Sequence, residues 1–206
     1  MLLARLEQVG FERRRRGEYV CHIGSADGVL GWLGISPLVR SQSRLIEALP
    51  YVGVYDPEVE RLVAQLRDKR RGFSGRTVGV PLGQVSPGRL REPHVIAHHE
   101  QVDERAIERM LADVDRYGRP FMTANGDRDE LRRTIEAQGQ QHDVMFRLPL
   151  VLLLLQERKA AKRAVAKAKR EFRAVTKAAR AYAKPEFDYD DFAERFETYL
   201  ERDADR

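Results

Sequence analysis

Residues 18–39, EYVCHIGSADGVLGWLGISPLV, decide the fold class of this chain. Glu18–Ile23 and Val29–Val39 are rich in β-branched and aromatic residues, which favour extended strands. Between them, Ser25–Gly28 has the small polar residues and glycine that are typical of a turn. The stretch therefore predicts a β-hairpin, with Trp32, the only tryptophan of the chain, in the second strand and in the core.

Helical patterns alternate with further extended segments on the C-terminal side of this hairpin. Asp56-Pro57 predicts a helix start, with Asp as N-cap and Pro at the first helical position. The apolar face of that helix is expected to comprise Val59, Leu62, Val63 and Leu66. Asp103–Tyr117 and Asp127–Gln138 have helical periodicity as well.

Other segments of residues 1–150 are predicted to be extended strands or turns. Leu45–Tyr55, Thr77–Val85 and His94–Ala97 are predicted to be extended. The basic run Glu12–Gly17 is interpreted as a charged turn, and Gly118–Met122 as a turn followed by a short extended piece.

Hairpins mixed with helices, without regular βαβ alternation, predict an α+β fold. We expect a mixed or antiparallel sheet packed against helices in residues 1–150. Residues 151–206 are expected to form a C-terminal helical extension, which consists of a long basic helix and a short acidic helix.

The long basic helix has an extreme charge imbalance. Residues 156–184 contain eleven Lys or Arg residues and two Glu residues. Its apolar residues recur in steps of four and three, which defines a heptad seam at Ala161, Val165, Ala168, Phe172, Val175, Ala179 and Tyr182. The seam allows a homodimer through this helix, although its alanines would bury little surface and such a dimer would be weak.

The acidic tail is an alternative partner for the same helix. Residues 185–206 hold nine acidic residues and three arginines. Pro185 is expected to end the basic helix, and Asp188 to cap a short helix with the apolar stripe Phe192, Phe196, Tyr199 and Leu200. Because a basic helix of about 40 Å is about twice as long as the tail helix, the tail can cover at most half of the basic surface.

Three interpretations of the basic surface remain open at this point. It is a solvated face of a structural helix, a nucleic-acid or other polyanion surface, or a surface for an acidic protein partner. Both aromatic residues of the helix lie on the seam, so no stacking platform for bases is evident. The residues assigned to polyanion or partner binding are Lys162, Arg163, Lys169, Arg170, Arg173 and Lys177.

The sequence contains three other candidate sites. A phosphate site would form if three basic segments are adjacent in space: Arg13–Arg16, Lys69–Arg71 and Arg76. Two solvated turns are the favoured alternative.

Metal-ligand chemistry is found at His94, His98, His99 and Glu100, but an extended His94 segment breaks the helical spacing that would place His94 and His98 on one face. Cys21 is expected in the core, because its neighbour His22 points to the opposite face of a strand. The sequence predicts no catalytic residue, no metal site and no cofactor.

The composition of the chain indicates the cellular compartment in which the protein is expected. A formal net charge of +5 and a charged fraction of 33% are typical of a soluble, charge-rich protein. The single cysteine excludes an internal disulfide and suits a reducing compartment. The longest apolar run, Leu148–Leu155, is far shorter than the ~20 residues of a membrane-spanning helix. These observations predict a cytoplasmic protein without membrane association.

Several short motifs, taken together, resemble a group of bacterial domains. They are Gly10-Phe11 with the basic run and Glu18-Tyr19-Val20, Asp27–Gly34, Pro50–Pro57, Thr77–Gly83 and Tyr117–Met122. This series, within residues 1–138, resembles bacterial domains of unknown function that accompany toxin–immunity or defence loci. The resemblance implies a protein-binding role. We therefore expect a non-enzymatic cytoplasmic interaction protein, of the immunity or defence-associated type, with nucleic-acid binding through the basic helix as the alternative.

Overall fold

The computed structural model of the chain describes residues 2–40, 45–67, 75–86, 94–98, 101–138, 144–179 and 189–204. These residues form an antiparallel sheet and a set of helices, so the predicted α+β fold is confirmed. Contacts divide the chain into two compact units, Met1–Pro57 with Gly75–Leu131 and Glu58–Ser74 with Arg132–Arg206. The division into residues 1–150 and 151–206 stays a prediction.

An antiparallel sheet organises the first unit. Its strands are β1 (Glu12–Arg15), β2 (Glu18–His22), β3 (Leu30–Arg40), β4 (Leu45–Tyr55), β5 (Val78–Pro81), β6 (His94–His98) and β7 (Gln101–Val102). Their order is β1-β2-β3-β4-β6-β7, and β5 pairs with the part of β4 that β6 leaves free. The predicted hairpin is confirmed, with Cys21 opposite Gly31 and a turn in which Gly28 has a φ of +70°.

Helices cover one face of this sheet. They are α1 (Leu2–Gln8), α3 (Leu82–Val85), α4 (Glu104–Asp113) and α5 (Arg119–Ala124), with a π-helical turn at Val114–Gly118 between the last two. Val52 on β4 and Met122 on α5 are fully buried. A Cβ atom at Gly118 would lie 2.7 Å from Cγ1 of Val52, so only glycine lets the π-helical turn approach β4 this closely.

Three local predictions are wrong. Thr77–Val85 is a strand only at Val78–Pro81, and its last four residues form the helix α3 (Leu82–Val85), which begins directly after Pro81. Glu12–Arg15 is not a charged turn but the edge strand β1, because Gly17, with a φ of +74°, reverses the chain and lets the basic run pair with β2. Charged side chains are compatible with an edge strand, where one side of the backbone stays unpaired. Gly118–Met122 is helical rather than extended, because Pro120 lies at the start of α5, where its missing N–H is not needed.

The second unit is helical in the part that the structure describes. It contains α2 (Pro57–Leu66) from Glu58 onward, α6 (Arg128–Gln138) from Arg132 onward, α7 (Val144–Leu154), α8 (Arg158–Ala179) and α9 (Tyr189–Ala204). The helix predicted after Asp56-Pro57 is confirmed as α2, and its four predicted apolar residues are all buried. None of the described helices is long and apolar enough to cross a bilayer.

An aromatic cluster fills the core of the second unit. Phe146 on α7 meets Phe192 on α9 edge to face, with ring centroids 5.0 Å apart. Tyr189 joins both rings, and its hydroxyl donates a hydrogen bond of 3.0 Å to the backbone oxygen of Met145. Burial raises the pKa of this phenol above its ordinary value of 10.0, so it stays protonated and keeps its hydrogen bond into the alkaline range. The predicted apolar stripe of the tail is thus confirmed at Phe192, and Phe196 and Leu200 are buried as well.

A buried ion pair lies in the same unit. Arg147 on α7 donates two hydrogen bonds, of 2.7 and 3.0 Å, to the two carboxylate oxygens of Glu60 on α2. The side chains are 1% and 9% exposed. The planar guanidinium matches the carboxylate in the two-pronged geometry that gives arginine its specificity, so the pair fixes the position of α2 against α7.

Candidate functional site: the basic helix and the groove beside it

The heptad seam of α8 faces the inside of the second unit. Ala161, Val165, Ala168 and Phe172 are between 0% and 7% exposed. Tyr182 and the side chains of Val175 and Ala179 lie outside the described residues. The described seam is therefore occupied within the chain, since α8 packs against both α7 and α9. A homodimer through α8 stays a prediction and would need a different face of the helix.

The acidic helix α9 lies along one side of α8 and runs antiparallel to it. At its start, Asp190 forms ion pairs with Lys169 at 3.1 Å and with Arg173 at 3.0 Å. Near its end, the backbone oxygen of Leu200 accepts a hydrogen bond of 3.3 Å from Arg158. Partial burial raises the pKa of Asp190, but the hydrogen bonds from Arg173 and Lys169 outweigh it and hold this pKa below its ordinary value. Two of the predicted binding cations are thus paired with the tail of their own chain.

Four cations of α8 form what we call the outer face: Lys159, Lys162, Arg163 and Arg170. All four side chains are exposed. Within the described ranges, none of them has a carboxylate oxygen within 4.0 Å. At 100° per residue, most of them lie opposite the buried seam, which explains why they reach solvent.

The six predicted binding residues therefore fall into three groups. Lys162, Arg163 and Arg170 lie on the outer face, and Lys169 and Arg173 bind Asp190. The side chain of Lys177 lies outside the described residues. The predicted cap at Asp188 and the helix end at Pro185 are outside them as well. A binding role for these six residues stays a prediction.

An open groove of about 480 Å³, within the second unit, lies beside the outer face between α6, α7 and α8. Its apolar lining comprises Ile135, Met145, Leu148, Pro149, Leu152, Ala160, Ala164 and Ala168. Its charged lining comprises Arg132, Glu136, Glu157, Arg163, Lys167 and Glu171. Because Arg163 belongs to both, the groove is continuous with the outer face. Volumes of this order are typical of ligand-binding clefts.

The sequence patterns did not indicate this groove. Ala160, Ala164 and Ala168 recur every four residues, so they form one row of small side chains on α8, which meets the seam at Ala168. This row leaves the space that the groove occupies. The row is visible in the sequence, but the groove also needs α6 and α7 opposite it, and that placement depends on contacts distant in the chain.

The residues with nucleophilic or metal-ligand chemistry are Cys21 and the histidines around His94. Cys21 is buried, as predicted, and burial raises the pKa of its thiol even though Arg119 lies 3.9 Å from Sγ. His94 begins strand β6, so its segment is extended as predicted. His99 and Glu100 lie outside the described residues, and the described part of the chain holds no group of three or more His, Cys, Asp or Glu residues placed to bind a metal ion.

Two parts of the predicted phosphate site, Arg13–Arg16 and Arg76, lie in the first unit, and phosphate binding there stays a prediction. Arg14 Nη1 donates a hydrogen bond of 3.1 Å to the backbone oxygen of Gly75, the residue before Arg76. The basic run of β1 is therefore adjacent to the segment that leads into β5. Lys69–Arg71 lie outside the described residues.

Comparison with known proteins finds no matching family model, no matching curated protein and no matching solved structure. The resemblance of residues 1–138 to defence-associated bacterial domains therefore stays an expectation. Any functional conclusion depends on the chemistry of the two surfaces described above.

Proposed function

We propose that this chain is a non-enzymatic interaction protein that binds an acidic protein partner through the outer face of α8 and the groove beside it. The observation that carries the proposal is the continuity at Arg163 of an open apolar groove with a row of exposed cations that have no carboxylate partner among the described residues. We place its action in the cytoplasm, as an immunity-type or defence-associated binder. The single cysteine and the resemblance stated for residues 1–138 support that placement.

A protein segment fits both parts of this surface. Apolar side chains of an amphipathic helix can fill the groove, in the mode in which helices bind hydrophobic grooves elsewhere. Asp or Glu residues on the flank of such a helix would meet Lys162, Arg163 and Arg170. Charge complementarity of this kind accelerates association and selects among partners. An acidic amphipathic segment therefore uses the apolar and the cationic features together.

Nucleic acid is the alternative partner, favoured by the outer face alone. Lys159 and Arg170 are separated by about 16 Å along the helix, which spans more than one phosphate of a single strand. Such binding would weaken steeply as salt rises. It would leave the apolar groove unfilled, which is why we rank it second.

Site-specific photo-crosslinking distinguishes these partners. A photoreactive amino acid replaces Ala164 in the groove, and in a matched control it replaces Ala112, an exposed residue of α4. In cells that naturally express the chain, the groove probe is expected to give a discrete protein adduct that the α4 probe does not give.

Charge reversal then tests the cations. The triple variant K162E/R163E/R170E is expected to reduce the yield of the groove adduct about tenfold or more, since each exposed charge contributes up to about 1 kcal/mol. The control R61E/R105E/R116E changes the net charge equally at exposed sites elsewhere and is expected to leave the yield unchanged. An adduct that nuclease digests would favour the alternative. Absence of any adduct at Ala164, with the protein folded, would contradict both.

A further inference from the structure

The sheet of the first unit is curled strongly enough to bring β1 over β4. Arg14 on β1 places its guanidinium carbon 3.9 Å from the ring centroid of Tyr55 on β4. These strands are three positions apart in the sheet, a separation of roughly 14 Å at the usual spacing of about 4.8 Å. The sheet must therefore curve between them, with Arg14 and Tyr55 on its concave face.

Strand register identifies the other residues of this concave face. Tyr55 is opposite Leu30, and residues two apart on a strand share a face, so Trp32 and Gly34 on β3 lie on the same side. Tyr51 is opposite Gly34, which adds a second tyrosine. A Cβ atom at Gly34 would overlap the six-membered ring of Trp32, so the indole covers this glycine.

Arg76 completes the set, which we call the arginine–aromatic cup: Arg14, Trp32, Tyr51, Tyr55 and Arg76. The guanidinium carbon of Arg76 lies 5.6 Å from the Trp32 ring and 5.5 Å from the Tyr51 ring. Its side chain crosses Gly79, where a Cβ atom would lie 2.7 Å from Cδ of Arg76. Glycine at this position therefore gives the arginine room above the sheet.

The cup contains hydrogen-bond donors that the described residues do not satisfy. Arg14 is 3.5 Å from Glu18, but Arg76 has no carboxylate oxygen within 4.0 Å among the described residues. Trp32 is 3% exposed, and its Nε1 atom is buried without a hydrogen-bond acceptor in the part of the chain that the structure describes. Leaving a buried donor unpaired is unfavourable. A ligand with acceptor oxygens would provide hydrogen-bond partners for the guanidinium of Arg76, which is half-exposed.

We propose that the arginine–aromatic cup binds a nucleotide. The phosphate would accept hydrogen bonds from Arg14 and Arg76, whose planar guanidinium groups match phosphate oxygens in a two-pronged geometry. The base would stack on the half-exposed rings of Tyr51 and Tyr55, in the places that the guanidinium groups now occupy. The same chemistry is offered by a free nucleotide and by one residue of a single strand. This site belongs to the first unit and does not depend on the function proposed for α8.

The single tryptophan makes binding directly measurable. We expect saturable quenching of Trp32 fluorescence on addition of a free ribonucleoside monophosphate or of a single-stranded oligonucleotide of eight residues. Saturation by the monophosphate identifies a free nucleotide as the source, and saturation by the oligonucleotide alone identifies a single strand. Both support the cup. Inorganic phosphate at the same concentration is expected to give at least about tenfold weaker binding, because it cannot stack.

Two arginine variants and the indole N–H resonance of Trp32 provide further tests of binding. R76Q is expected to weaken binding at least about tenfold. The control R116Q, which removes a guanidinium 5.2 Å from the Tyr117 ring in the same unit, is expected to have no effect. In the NMR spectrum of the nitrogen-labelled wild-type chain, the indole N–H resonance of Trp32 is expected to shift on binding, because the ligand displaces the Arg76 guanidinium that lies 5.6 Å from the ring. No quenching and no resonance shift at millimolar ligand would overturn the proposal, as would equal binding by R76Q or by inorganic phosphate.

Discussion

Removing Glu60 while leaving Arg147 in place is expected to destabilise the second unit severely. Glu60 accepts hydrogen bonds of 2.7 and 3.0 Å from Arg147, and the arginine side chain is only 1% exposed, so water cannot replace the lost carboxylate. Breaking a buried ion pair in this way costs about 3–5 kcal/mol. The variant E60L is therefore expected to lower the free energy of unfolding of this unit by that amount.

The companion variant E60L/R147M replaces both charges with apolar side chains. Its expected loss of stability is at most about 1 kcal/mol, because no charge is left buried and the lost attraction is offset by the removed desolvation penalty. With R147M, the set closes a double-mutant cycle, which isolates the coupling between the two residues.

The assay uses two probes. Circular dichroism at 222 nm follows helix content, and the fluorescence of Trp32 follows the first unit. For a unit of roughly 100 residues, each kcal/mol lowers Tm by about 4–8 °C, so E60L is expected to lower the helical transition by at least about 12 °C. Equal stability of E60L and wild type, or a double variant less stable than E60L, would refute the reasoning that the loss of the carboxylate from the buried guanidinium carries the cost.

Two further predictions concern single contacts. Because the pKa of Asp190 is held below its ordinary value of 3.8, its ion pairs stabilise the α8–α9 contact above that pH and lose their effect as pH falls through the lowered pKa. D190N is expected to be less stable than wild type at pH 7 by at most about 1 kcal/mol, and equal to it near pH 2, by urea unfolding; a difference that persists at pH 2 would contradict this. G34A is expected to cost about 1–3 kcal/mol and to shift the emission of Trp32, because the new methyl group overlaps the indole. Unchanged emission would show that the indole does not cover Gly34.

Local sequence patterns predicted an element correctly where its structure is determined by its own residues. Ser25–Gly28 turns the chain between β2 and β3, and Asp56-Pro57 begins α2 with the expected buried face. The stripe at Phe192 and Phe196 is likewise read directly from helical spacing. In each case the pattern lies within one short segment of the chain and does not depend on contacts with distant residues.

Local sequence patterns did not predict the structure where contacts with distant segments of the chain determine it. Arg13 and its neighbours form an edge strand because β2 offers them backbone partners, although their charges are typical of a turn. The turn signals of Gly118 and Pro120 are compatible with a helix start, and packing on β4 decides between the two. The same holds for both proposed sites. The groove needs α6 and α7 opposite the alanine row of α8, and the cup needs a curled sheet that brings Arg14 to Tyr55.

The position of α2 in the chain has a consequence for synthesis on the ribosome. Its apolar face is buried in a unit whose other helices begin at Arg132, so about 80 residues must be added after Leu66 before the Arg147 side chain exists. At 5–20 residues per second, this takes roughly 4–16 s. During that interval the nascent chain carries an amphipathic helix without its permanent neighbours, and residues 75–131 of the first unit are synthesised in between. Translation speed and chaperone access between these two points will therefore influence how much of the chain reaches its native state.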